Sequence, residues 1–133
     1  MAHSGGVAPA AAVVAARPAG LSSVVPPDAL YRDEATFASW VTENARRFGP
    51  NGDRRIGVVY TDGGGTDVRS RTLAETTRAT LETVGLGGEV LDDRGTGTLT
   101  ATDYRRHAVF KRSALAHEAV ATYYPRQFWA AGW

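Results

Sequence analysis

Apolar and polar positions alternate most regularly over Arg55–Thr61, with Ile56, Val58 and Tyr60 on one side and Gly57, Val59 and Thr61 on the other. β-Branched and aromatic residues at period two predict a strand, and Asp62 followed by three glycines predicts that it ends in a tight turn. Upstream the period lengthens. Phe37, Trp40, Val41, Ala45 and Phe48 recur at helical spacing and predict a helix over residues 34–48, with Asp33 as N-cap and Gly49-Pro50 as its stop. Downstream, Thr66–Arg71 reads as a short return strand closing a hairpin. The run Thr72-Leu73-Ala74-Glu75 then reads as a capping box opening a helix to Val84, with Leu73, Thr77, Leu81 and Val84 on one side. Gly85 fits the position just past that helix, and Leu86 is placed to fold back onto Leu81 or Glu82.

The last third is less regular. Glu89–Asp92 predicts a strand, Arg94–Gly97 a turn and Thr98–Thr102 a strand pairing back, while Tyr104–Lys111 fits either a strand or the start of a helix. Ser113–Tyr124 is helical in pattern, with Leu115, Ala116, Ala119, Val120 and Tyr123 inward and Pro125 as its stop. The fold expected is α+β: a small antiparallel sheet or hairpins with about three helices over residues 31–125. An extended Ala/Pro/Gly-rich arm over residues 1–30 precedes it, and an aromatic tail over residues 126–133 follows.

Composition narrows this. Leu, Ile, Val and Phe number 26 of 133 residues, so the core is small; 15 basic against 14 acidic residues leave a net charge of +1. Near-neutral, interspersed charge argues against a nucleic-acid groove. Fourteen of the basic residues are Arg and one, Lys111, is Lys; with 22 Ala and a single Ile this is the residue usage of a GC-rich genome. There is no cysteine, hence no disulfide framework, thiolate metal site or cysteine nucleophile. The apolar run Val7–Ala16 is shorter than the roughly 20 residues a membrane span needs, and no basic residue precedes it as in a secretory leader. Pro9, Pro18, Pro26 and Pro27 predict an extended, partner-bound arm, in a protein placed in the cytoplasm or on the cytoskeleton.

Candidate chemistry gathers at a few points. The run VVYTDGG, Val58–Gly64, is similar to the first strand of ribonuclease H, whose Asp binds a catalytic metal. That resemblance implies a carboxylate set of Asp62, Glu75 and Asp92, although only about a dozen residues separate the first two where the family places two strands. The run DDRGTGTLTATD resembles an EF-hand calcium loop, with Asp92 first, Gly97 at the sharp turn and Asp103 closing it, but Arg94 and Thr96 stand where ligands belong. His107 and His117 are ten residues apart, too far for a helical zinc pair, and each is a candidate only for acid–base work. No cofactor is expected. Arg105 and Arg106, with Lys111 and Arg112, make a small basic cluster suited to an acidic protein partner.

Two functions follow. The first is a non-enzymatic structural or interaction subunit of a larger assembly, filament-, cilium- or particle-associated, docked on other protein subunits through Phe128, Trp129, Trp133, Arg105 and Arg106, with no role for nucleic acid or membrane. The alternative is a small enzyme or small-molecule-binding protein whose site gathers Tyr60, Asp62 and His107.

Overall fold

Parallel pairing, not antiparallel, organises the sheet. The computed structural model describes residues 7–26, 32–62 and 65–133. Its strands are β1 (Ser23–Val24), β2 (Arg55–Tyr60), β3 (Val90–Asp93) and β4 (Ala108–Arg112), ordered β1-β2-β4-β3 with every pairing parallel. Four helices are present among the described residues: α1 (Val7–Ala15), α2 (Glu34–Asn44), α3 (Thr66–Glu82) and α4 (His117–Ala130). The fold is therefore α/β, which corrects the antiparallel α+β expectation.

The physical reason lies in the central strands. Every residue of β2 from Ile56 to Tyr60 is buried, as is Ala108–Lys111 of β4, so both faces of both strands are covered. Strands buried on two faces belong to parallel sheets with helices on both sides. One layer packs α1, α2 and α3 against Ile56, Val58, Ala108 and Phe110, using Phe37, Trp40, Val41, Leu73 and Leu81. The other packs α4 against Val59 and Val109 through Val120, Tyr124 and Phe128.

Several elements depart from their predicted form. No hairpin follows β2: Gly65, at φ 83, leads directly into α3 at Thr66, so the residues assigned to a return strand are its first turns. Thr72 is then mid-helix, its hydroxyl donating to the Val68 carbonyl rather than capping. Asp33 precedes α2 in the left-handed region at φ 65 and makes no side-chain cap. Thr98–Thr102 forms no strand, and β3 pairs in parallel with β4 instead. Of the predicted N-terminal arm, residues 7–15 are helical and Ser23–Val24 is an edge strand; residues 1–6 and 27–30 lie outside the described residues. Alanine has the highest helix propensity, and Pro9 falls in the first turn, where its missing N–H leaves no intrahelical bond unmade. Ala11 and Val14 of α1 are buried in the core beside α2.

The predicted aromatic tail is the end of α4, which continues through Pro125 to Ala130. It closes with Gly132 at φ 82. The Trp133 N–H donates to the Phe128 carbonyl and the Gly132 N–H to the Trp129 carbonyl, the Schellman arrangement, and the Trp133 and Phe128 rings meet at 4.6 Å. The end of α3 repeats the pattern as expected, with Gly85 at φ 77 and the Leu86 N–H donating to Leu81.

Candidate ligand crevice at the strand tips

Neighbouring strands β2 and β4 send the chain to opposite faces of the sheet: β2 leads into α3 on one side, β4 into α4 on the other. Where successive connections diverge like this, a crevice opens beyond the carboxyl ends of the strands, the usual ligand position in open parallel sheets. Here it is a cavity of about 270 Å³ lined by Tyr60, Asp62, Asp67, Arg71, Arg94 and Arg112.

Each wall comes from a different element. Tyr60 ends β2 and pairs in register with Arg112, which ends β4. Arg94 follows β3, and Asp67 and Arg71 sit on the first turns of α3. The Arg112 guanidinium forks onto Asp62, Nε donating to Oδ1 at 2.8 Å and Nη2 to Oδ2, while Nη1 donates to the Arg94 carbonyl at 3.4 Å. This bond holds the Asp62 carboxyl below its usual range. Arg94 donates to Asp92 and to Glu75, each at 3.0 Å, and Arg71 donates to Asp67 at 3.2 Å. The crevice is thus edged by guanidinium groups that already hold carboxylates.

Tyr60 is the exception. It is 1% exposed, and its hydroxyl has no hydrogen-bond partner among the described residues. Burial, with the Asp92 charge next, raises its pKa, so it stays a neutral hydroxyl. Such a group costs free energy unless a partner meets it.

Behind the crevice, on the α4 face, lies Lys111. Its side chain is 0% exposed, and its ammonium donates to Asp93 Oδ2 at 2.6 Å and to the Gly95 carbonyl at 2.7 Å. It thereby fixes the residues on either side of Arg94.

The other predicted residues lie elsewhere. His107 precedes β4, whereas Arg112 ends it, five residues or about 17 Å along the strand; its Nδ1 is 2.7 Å from Glu89 Oε2. Tyr60 and Asp62 therefore meet, and His107 does not join them. His117 opens α4 and is not a wall of the crevice. Asp103 accepts from the Thr100 N–H at 2.6 Å and the Thr100 hydroxyl at 2.8 Å just ahead of a 3₁₀ turn, while Asp92 is tied to Arg94. Of the ribonuclease-H-like set, Asp62 belongs to Arg112, and Glu75 shares Arg94 with Asp92. Among the described residues no group of three or more His, Cys, Asp or Glu is arranged to hold a metal ion.

Of the aromatic docking candidates, Phe128 is buried and the Trp133 indole N–H donates to the Tyr104 carbonyl at 2.8 Å, so both serve the chain's own core. Trp129 is 77% exposed. Arg105 is exposed, and Arg106 donates to the Gly88 carbonyl. Arg71, Arg94 and Arg112 carry the crevice without having been singled out for it, because only the parallel register brings them together. No helix among the described residues is long and apolar enough to cross a membrane. No family model matches the chain, and neither a curated protein nor a solved structure matches it.

Proposed function

We propose that this protein binds a small polar molecule in the crevice at the tips of β2 and β4. The observation that carries the reading is the buried Tyr60 hydroxyl, without a hydrogen-bond partner among the described residues, on a wall shared with three arginines. A ligand oxygen or nitrogen there would meet a hydroxyl that no described residue meets, and the guanidinium groups supply directional donors around it. The test is a thermal-shift screen of small polar metabolites against wild type and Tyr60→Phe. Compounds that raise the melting temperature of wild type and lose that effect in Tyr60→Phe are expected. A screen with no hit, or hits indifferent to Tyr60, would sink the proposal.

A second reading, the assembly subunit docked on other proteins, is supported by Trp129, whose exposed ring flanks a shallow apolar depression with Pro125, Arg126 and Ala130 on the outer side of α4. Contiguous exposed apolar patches mark contact surfaces. Under this reading wild type sediments faster as concentration rises and Trp129→Ala does not; identical sedimentation of the two removes it.

A further inference from the structure

We infer that the group this crevice recognises is a phosphate ester, and that it enters by exchanging with Asp62 on Arg112. The inference rests on the crevice being a ligand site.

Arg112 already displays the geometry required. Its fork grips two oxygens of one anion, and its third nitrogen is oriented by the Arg94 carbonyl, independently of that anion. Guanidinium forks match carboxylate and phosphate in the same bidentate manner. The anion it now holds is expendable. Asp62 is 62% exposed and lies beyond the end of β2, so water can take over its carboxylate when it leaves the fork. The remaining cations are less available: Arg94 holds both Asp92 and Glu75, and the Asp67 that Arg71 holds one helical turn away is only 23% exposed. Arg112, whose one carboxylate partner is exposed, is the exchange point.

Tyr60 decides the class of anion. A carboxylate bound by a fork has both oxygens engaged and offers a hydroxyl approaching from β2 only a remaining lone pair on one of them. A tetrahedral phosphate keeps a further oxygen out of the plane of the fork, able to accept from Tyr60. The start of α3 favours the same group, because Gly65 offers no side-chain cap and the positive end of a 17-residue helix faces this side. Asp67, in its first turn, opposes this and is offset by Arg71. Replacing one carboxylate by a phosphate changes the charge by about one unit or less. A cavity of about 270 Å³ limits the bearer to a small phosphorylated molecule rather than a dinucleotide.

The experiment is an NMR titration of wild type, Asp62→Asn, Arg112→Lys and Tyr60→Phe with inorganic phosphate and, separately, acetate, at constant ionic strength. Phosphate is expected to shift the resonances of Arg112 and its neighbours. Asp62→Asn, which removes the internal competitor, tightens phosphate by about two- to fivefold, while Tyr60→Phe and Arg112→Lys weaken it. Equal or weaker phosphate binding by Asp62→Asn overturns the exchange. Acetate binding as tightly as phosphate, or phosphate indifferent to Tyr60, overturns the assignment of class. Phosphate failing in every variant while metabolites from the thermal-shift screen still bind through Tyr60 overturns this inference alone; failure of both overturns the crevice reading itself.

Discussion

Tyr60 gives up the water its hydroxyl would bind in the unfolded chain and receives no partner among the described residues in return. Removing such an oxygen relieves a desolvation cost, so Tyr60→Phe is expected to leave the ligand-free protein unchanged or more stable by about 1 kcal/mol, read from urea unfolding. A loss of more than about 1 kcal/mol would mean that the hydroxyl is satisfied within the chain. At this scale the sequence was partly informative. Tyr60 and Asp62 stand out because they end a strong strand pattern before glycines. Arg112 and Arg94 do not, since nothing local distinguishes them from twelve other arginines. His107 was drawn toward Asp62 by chemistry alone, and its place before β4 rather than after it puts it at the other end of the strand.

Among the elements, β2 shows why a glycine interrupts an apolar run. A Cβ on Gly57 would lie 2.8 Å from the Phe128 ring and 3.1 Å from the Trp133 ring, so the α4 aromatics pack directly on the bare backbone. Those rings are held by the Schellman closure and by the indole bond to Tyr104, which leaves them little room to retreat. Gly57→Ala is expected to destabilise the protein by about 1–3 kcal/mol, measured by thermal or urea unfolding, with Trp fluorescence altered in the native baseline. An unchanged melt would show that α4 is free to shift.

The legible elements were those whose signal is local: the apolar stripe of α2, the strand β2, and the Gly85–Leu86 closure of α3. The misread ones had two local interpretations that only long-range pairing decides. Thr66–Arg71 suits a strand by its β-branched residues, but the left-handed Gly65 and the packing of Leu73 and Leu81 on the sheet commit it to helix. Pro125 ordinarily ends a helix, yet burial of Phe128 beyond it, worth roughly 2–3 kcal/mol, carries α4 onward.

For the molecule as a whole, acid stability follows from the anchored carboxylates. Asp103 sits below its ordinary value of 3.8 because the Thr100 N–H and hydroxyl donate to it, and Asp53 and Asp62 are likewise lowered by Arg47 and Arg112. A depressed folded-state pKa contributes stability that is present above the unfolded value and lost as pH falls through the folded one. Unfolding free energy is therefore expected to hold down to about pH 4 and fall below it. In Asp103→Asn that fall should be shallower; a curve parallel to wild type would mean that Asp103 is not held as described. The topology was the least legible property of the chain. A parallel pair has no turn signature, and the order β1-β2-β4-β3 depends on which face each connection covers, a choice made by the apolar stripes of α3 and α4 together.

Lys111 has one more consequence. It carries the only ε-amine in the sequence, and the folded sheet keeps that amine entirely out of solvent. Acylating reagents therefore meet it only when β4 separates from its neighbours, which makes this residue a built-in reporter of how often the central sheet opens. Mass-spectrometric labelling of Lys111 should be slow in native buffer, accelerate through the urea transition, and slow further when a ligand binds at the strand tips.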